Sequence, residues 1–153
     1  MFKQILCCFL CIPVVAFSQN VFIPDSTFKN YLINNSAINT NGDSAIQVIE
    51  ANSFTGTIYV SGLPIKDLRG IESFTSMTEL WCGGLDSLVT LDLSNNSALI
   101  KLSCNSNYLL TSLDISGAAL LSEVYCSYNP NLGAIDFTNN TALTRLFCTA
   151  SGQ

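Results

Sequence analysis

The chain has 153 residues, of which 48% are hydrophobic, so it is long enough for one domain with a buried core. Only 11% of the residues are charged, the formal net charge is −5, and no basic cluster is present. This composition disfavours binding to nucleic acid or to an anionic membrane surface, because both require concentrated positive charge.

The first 18 residues have the pattern of a secretory signal peptide. Lys3 precedes an apolar run from Ile5 to Phe17, and Ala16 and Ser18 are the small residues that favour cleavage after Ser18. The run is shorter than the about 20 residues that a membrane-spanning helix needs, which disfavours a permanent anchor. We therefore expect residues 1–18 to be removed, leaving a secreted or cell-surface chain without membrane insertion.

Residues 19–54 have the pattern of a small helical cap. Pro24, Asp25 and Ser26 are typical of a helix start, and Phe28 and Leu32 then fall on one face at helical spacing. A second short helix is expected over residues 48–54. Repeat stacks need such a cap, because their first coil would otherwise expose its apolar face.

The loop between these helices resembles a calcium loop of the EF-hand or dockerin type. Asn39, Asn41, Asp43 and Glu50 stand at relative positions 1, 3, 5 and 12, where such loops place oxygen ligands. The loop has Ser44 where such loops place glycine, and only two of the four residues are carboxylates. We therefore expect weak calcium binding here, or a loop that keeps the shape without the ion.

Residues 55–153 contain a repeat of 22 residues, which is the interval between successive members of the set Cys82, Cys104, Cys126 and Cys148. The clearest copy places Leu99, Leu102, Cys104 and Asn107 in the order LxxLxCxxN. Eleven residues after each LxxLxC comes a second apolar segment, which begins at Leu88, Leu110 and Leu132. We expect about four coils with two strand-like edges each, the last coil being incomplete.

This order of segments resembles leucine-rich-repeat proteins, and in particular the secreted bacterial proteins of the internalin and adhesin type. The resemblance implies a solenoid: a right-handed coil with a parallel β-ladder and few helices outside the N-terminal cap. It also implies that the Asn side chains bond to the loop backbone from one coil to the next. Stacking coils about 4.8 Å apart places equivalent residues in columns.

The cysteine column allows three interpretations. Residues in one inward-facing column cannot converge tetrahedrally on a metal, so a zinc site is disfavoured. Disulfides between neighbouring coils are within reach, but parallel side chains would have to turn towards each other. We favour the third interpretation, in which cysteine is a small buried hydrophobe.

A second column is expected to face outwards on the strands, because side chains alternate along a strand. Its members, four of them aromatic, are Tyr59, Trp81, Ser103, Tyr125 and Phe147. Exposed aromatic side chains are typical anchors for protein or glycan partners, although strand propensity alone also favours aromatic residues here. Two residues earlier in each strand, a column of alternating sign is expected to neutralise itself; it comprises Glu79, Lys101, Glu123 and Arg145.

On the other edge, Asp92, Asp114 and Asp136 form a column of like charges about 5 Å apart. Such an arrangement is unfavourable unless each carboxylate is otherwise engaged. Local hydrogen bonds to Ser94, Ser116 and Thr138 would relieve it. A cation shared along the column is the alternative.

The sequence favours binding over catalysis. It contains no histidine, which excludes Ser-His-Asp and Cys-His catalysis, and it has no glycine-rich phosphate loop. We expect a non-enzymatic module that binds a protein or glycan through the aromatic column, without a cofactor other than calcium. The alternative is a structural spacer that belongs to a larger surface protein.

Overall fold

The computed structural model describes residues 19–149. Two short helices precede a series of three-residue strands. The elements are α1 Ser26–Ile33, α2 Val48–Ser53, β1 Thr57–Tyr59, a 3-10 helix Ile71–Ser73, β2 Glu79–Trp81, β3 Thr90–Asp92, β4 Lys101–Ser103, β5 Ser112–Asp114, β6 Glu123–Tyr125 and β7 Arg145–Phe147. The predicted signal peptide and residues 150–153 lie outside the described part. Within residues 19–149, neither helix has the length and apolar character needed to cross a membrane.

The main sheet is a parallel ladder with one strand from each coil. Its order is β1-β2-β4-β6-β7, and paired residues are one repeat apart, as Ile58 is with Leu80 and Leu80 with Leu102. Strands β3 and β5 form a second, two-stranded parallel sheet on the other edge. The expected solenoid of about four turns with few helices is confirmed.

The second edge is shorter than the sequence pattern indicates. Residues 132–137, which repeat the pattern of β3 and β5, form no strand. Gly133 still donates a backbone hydrogen bond to the Thr111 carbonyl at 3.2 Å. Gly133 and Ala134 align with Val89, which precedes β3, and with Thr90, its first residue, and such small residues have weaker strand propensity.

The core is a set of apolar columns that run from coil to coil. The middle residues of β1, β2, β4 and β6 are fully buried, as are Cys82, Cys104 and Cys126. A single coil cannot bury its own apolar row, so each coil depends on its neighbours for that burial. Leu146 continues the column in β7, where it is exposed to solvent.

The helical cap is bonded to the first coil as well as packed on it. Asp25 caps α1 by accepting hydrogen bonds from the backbone amides of Thr27 and Phe28, both at 2.9 Å. Its second oxygen accepts a hydrogen bond from the Lys66 amide, also at 2.9 Å. One carboxylate thus starts the helix and fixes it to the repeat region.

Asparagine side chains connect the loops of neighbouring coils. Asn107 Oδ1 accepts a hydrogen bond from the Leu85 amide at 2.7 Å, and Asn129 Oδ1 accepts one from the Asn107 amide at 2.8 Å. The Nδ2 group of Asn107 donates to the carbonyls of Cys82 and Cys104. These bonds satisfy backbone groups that would otherwise be buried without partners.

The cysteine column differs from the expectation at its last step. Cys126 and Cys148 form a disulfide with a Cα–Cα distance of 4.8 Å. Stacked coils place neighbouring Cα atoms within the range of about 4.4–6.8 Å that a disulfide tolerates, so the interpretation of the whole column as unbridged hydrophobes is wrong here. Cys82 and Cys104 are buried free thiols, as expected.

Candidate ligand-binding face

The aromatic row lies on the outward face of the main sheet. It comprises the last residues of the five strands, Tyr59, Trp81, Ser103, Tyr125 and Phe147, which pair in register from β1 to β7. The ladder therefore brings all five predicted site residues into one line. Strand alternation places them opposite the buried column, because successive side chains leave a strand on opposite faces.

The rings of the aromatic row form two stacked pairs. Tyr59 and Trp81 stack with centroids 6.1 Å apart, and Tyr125 and Phe147 with centroids 5.0 Å apart and planes only 5° from parallel. Much of the ring-face area is used by stacking, so the edges of the rings are left to form the outer surface. Ser103 separates the two pairs.

Lys101 fills the gap that Ser103 leaves. Its Nζ lies 5.3 Å from the centre of the Trp81 ring and 5.7 Å from that of Tyr125, which is within cation–π range of both. The ammonium group also pairs with Glu123 at 3.3 Å. The sequence pattern places Lys101 only in the column of alternating sign; the signal for its second role is a lysine two residues before the one small member of the row.

The charged residues of the same strands bond to each other and to the rings. Glu123 pairs with Arg145 at 3.2 Å as well as with Lys101, and it accepts a hydrogen bond from the Tyr125 hydroxyl at 3.0 Å. That hydroxyl hydrogen bond, more than the neighbouring cations, holds the pKa of Glu123 below its ordinary value. Glu79 accepts a hydrogen bond from the indole nitrogen of Trp81 at 3.1 Å.

The members of the aromatic row differ in exposure. Tyr59 is 58% exposed and Phe147 50%, whereas Trp81 and Tyr125 are half-buried. Ser103 is only 6% exposed, so it offers little surface of its own. A partner would meet Tyr59 and Phe147 at the ends, with the edges of Trp81 and Tyr125 and the Lys101 stem between them.

The aspartate column is held by local hydrogen bonds. Asp92, Asp114 and Asp136 each accept a hydrogen bond from the backbone amide two residues ahead, at 2.8–2.9 Å. The Ser116 amide and hydroxyl lower the pKa of Asp114, and Thr138 lowers that of Asp136. The expected local relief of the like charges is confirmed.

The calcium-like loop is organised around the Glu50 carboxylate. Its Oε1 accepts hydrogen bonds from the backbone amides of Thr40 at 2.8 Å and Asn41 at 3.2 Å, and its Oε2 accepts one from the Gln47 amide at 3.0 Å. Burial raises the pKa of Glu50, but these amides and the Thr40 hydroxyl outweigh burial and place it below its ordinary value. Both carboxylate oxygens are therefore already engaged.

The other three predicted ligands also bond within the loop. Asn41 Nδ2 donates to Asp43 at 3.0 Å, and Asn39 Nδ2 donates to the Asp43 carbonyl at 2.8 Å. Asn39 Oδ1 is buried without a hydrogen-bond partner. Glu50 Oε1 accepts three hydrogen bonds, from the Thr40 amide and hydroxyl and the Asn41 amide, whereas Oε2 accepts only the one from Gln47. Calcium binding here stays a prediction.

A family model described as Endo-beta-N-acetylglucosaminidase EndoS LRR domain matches residues 43–146. The matched segment begins at Asp43, inside the calcium-like loop, and ends in β7, so it includes the whole of the main sheet except the last residue of β7. A search of curated proteins found no match.

Two solved structures that the chain matches are internalins from Listeria monocytogenes. Internalin InlF is 20% identical with a TM-score of 0.52, and the match covers 90% of this chain and 47% of that one. The functional domain of InlJ, which includes a cysteine ladder, is 20% identical with a TM-score of 0.36, covering 88% of this chain and 40% of that one. This chain spans about half the length of the internalin chains that it matches, and the likeness to InlF concerns the fold alone.

Proposed function

The chain belongs to the leucine-rich-repeat family described as Endo-beta-N-acetylglucosaminidase EndoS LRR domain, and on this basis we propose that it is a recognition module that binds a partner protein through the aromatic row. The family takes its name from a domain of an endo-beta-N-acetylglucosaminidase, and that activity belongs to the enzyme so named. For this chain we infer only the recognition role.

The observation that carries the proposal is the construction of the aromatic row. Folding of the solenoid needs the inward columns, whereas the outward ends of the strands are free to be polar. Tyr59 and Phe147 nevertheless leave half or more of their surface in solvent. Large, rigid aromatic side chains of this kind supply contact area at low entropic cost and are enriched at the centres of interfaces.

A protein partner suits this face better than a glycan does. Sugars stack on open ring faces, but the inner faces of Trp81 and Tyr125 are turned to Lys101 and their outer faces to neighbouring rings. What remains is a ridge of ring edges beside charges of alternating sign. Such charges select a protein partner by complementarity and set its register.

The proposal excludes catalysis by this chain. The sequence has no histidine, and Asp92, Asp114 and Asp136 lie along an exposed edge, each bonded to its own turn. General acid–base catalysis needs carboxyls whose environments push their pKa values apart. Secretion or surface display, which residues 1–18 favour, is part of the same proposal.

The test is an array of surface proteins and glycans probed with the full chain and with a W81S/Y125S variant. A V89S/T90A variant is the matched control, because Val89 and Thr90 are also exposed but lie on the second edge. We expect at least one protein to bind both the wild type and the control. The same protein should bind W81S/Y125S at least about tenfold more weakly.

Circular dichroism shows whether a variant loses binding because its binding face is altered or because the chain has unfolded. Removing the two stacked pairs should cost a few tenths to about 1 kcal/mol each, so both variants should remain folded at 25 °C. An equal loss of binding in the control, or binding to glycans alone, would contradict the proposal. A chain that binds nothing on the array would instead fit a passive spacer.

A further inference from the structure

The loops that follow the main-sheet strands share one unusual backbone position. Its four members, one per coil, are Gly62, Gly84, Ser106 and Tyr128, with φ of 71°, 69°, 58° and 61°. This left-handed region suits glycine and is unfavourable for residues with a Cβ atom. The first two coils use glycine, whereas the last two do not.

Tyr128 is therefore retained where folding alone would favour glycine. It is 58% exposed, so no core packing compensates for its backbone conformation. Non-glycine residues held in this region persist where the surrounding structure enforces them, and they cluster at functional sites. The conformation projects the tyrosine from a short turn that neighbouring coils hold in place.

The loops 105–110 and 127–132, here called the tyrosine edge, form one continuous surface. The Ser106 amide donates to the Ser127 carbonyl at 2.9 Å, and Asn131 Nδ2 donates to the Tyr108 carbonyl at 2.6 Å. Tyr108, on the first of these loops, is 54% exposed. Two largely exposed tyrosines thus stand on adjacent loops that are bonded to each other.

The tyrosine edge carries no formal charge. Between Cys104 and Thr111, and again between Cys126 and Ile135, every residue is neutral. The equivalent loops of the first two coils, residues 61–66 and 83–88, contain Lys66 and Asp86. Uncharged loops rich in Tyr, Ser and Asn resemble antibody binding loops in composition, where tyrosine gives contact area and asparagine gives adaptable hydrogen bonds.

We propose that the tyrosine edge is a second binding site, distinct from the aromatic row, and that it takes an uncharged oligosaccharide. Tyr108 and Tyr128 expose more than half of their surface, which leaves aromatic surface open to the apolar face of a sugar ring. Their hydroxyls and the Asn131 carboxamide supply neutral hydrogen-bonding groups. The absence of charge removes any preference for an acidic sugar or a charged peptide.

The test uses isothermal titration of the full chain with maltohexaose, cellohexaose, mannohexaose and chitohexaose at 50 and 500 mM NaCl. We expect at least one of them to bind, with a Kd that changes less than about twofold between the two salt concentrations, because no charged pair is involved. Heparin and a sialylated oligosaccharide serve as charged comparisons and should bind no more tightly.

Two glycine substitutions distinguish a binding role from a structural one. Tyr128→Gly should raise the Kd for the oligosaccharide about tenfold or more, because it removes the ring. It should also raise the thermal midpoint by about 2–4 °C, because it removes the backbone strain. Ser106→Gly, at the same position one coil earlier, should raise the midpoint similarly, which would show that the gain in stability comes from the backbone and not from loss of the ring. W81S/Y125S should also leave this Kd unchanged.

Three results would overturn the proposal of a binding site at the tyrosine edge. They are the absence of binding to all four neutral oligosaccharides, an unchanged Kd in Tyr128→Gly, and a loss of oligosaccharide binding in W81S/Y125S instead. Loss of a protein partner from Tyr128→Gly without any oligosaccharide binding would show that the edge recognises protein.

Discussion

Gly117 shows at the level of one residue how closely the coils approach each other. A Cβ atom added there would overlap the carbonyl oxygen of Ser94 in the preceding coil. We expect Gly117→Ala to destabilise the chain by about 1–3 kcal/mol, since overpacking forces the backbone of both coils to shift. Urea denaturation followed by circular dichroism measures the change.

Gly133→Ala is the matched control. The nearest atom to a Cβ at Gly133 is the Thr111 carbonyl oxygen at 3.6 Å, an ordinary contact. Replacing a glycine that is not sterically required restricts the unfolded chain, so the effect should lie between zero and about 1 kcal/mol of stabilisation. Equal destabilisation by both substitutions would mean that alanine is disfavoured in these turns for a reason other than contact with the preceding coil.

The two free thiols should be unreactive in the folded chain. Burial raises the pKa of Cys104 to about 12, and burial together with the neighbouring Cys104 raises that of Cys82 well above its ordinary value. Since only the thiolate is alkylated, iodoacetamide at pH 8 should label neither residue until denaturant is added. Peptide mass spectrometry reads each site separately, and rapid labelling of Cys104 alone in the native chain would contradict this burial.

At the scale of elements, the loop between α1 and α2 is expected to hold its shape through Glu50 without an ion. Glu50→Gln removes a charged acceptor of three backbone amides and should destabilise the chain by about 1.5–3 kcal/mol. The same loss is expected in EDTA and in 5 mM calcium, measured by urea denaturation. A loss that is confined to calcium would instead establish Glu50 as a ligand.

The columns explain how much of the fold could be predicted. A constant interval fixes which residues stack, so the register of Leu80 on Leu102 and the line from Tyr59 to Phe147 follow from numbering alone. Local patterns were equally informative where one residue decides the geometry, as at Asp25 before α1. Both kinds of prediction need only the spacing and the types of the residues, which the sequence gives directly.

What the sequence does not predict depends on how side chains turn within a column. Cys104 and Cys126 have the same neighbours by pattern, yet only Cys126 is bridged to the next coil. The sequence also does not show that Lys101 turns between the Trp81 and Tyr125 rings beside the buried Ser103. Likewise, nothing in the sequence around Tyr128 indicates a left-handed backbone except its alignment with Gly62 and Gly84.

At the scale of the whole molecule, the distribution of charge separates the surfaces. On the strand face Lys101 and Arg145 both pair with Glu123, the second edge carries three aspartates bonded to their own turns, and the tyrosine edge has no charge at all. One solenoid can therefore present surfaces of different chemistry while its core columns stay the same.

The same distribution predicts how stability should depend on pH. Glu50, Asp114 and Asp136 have pKa values below their ordinary 4.5 and 3.8 in the folded chain, so their contribution is present above those values and is lost as pH falls through the lowered ones. Cys82 and Cys104 have raised pKa values, so the folded chain loses stability as pH rises above their ordinary 9.0. With no histidine to titrate between these limits, we expect a plateau from about pH 5 to about pH 8.

Urea midpoints measured from pH 3 to pH 10 check this plateau, and two variants assign its limits. Glu50→Gln should make the acid limb shallower, because one carboxylate with a lowered pKa is gone. Replacing both Cys82 and Cys104 with alanine should reduce the loss of stability above pH 9. It should also lower the urea midpoint at every pH, because core volume is lost. A step in stability near pH 6.5 would have no titrating group to account for it and would contradict the assignment of these limits.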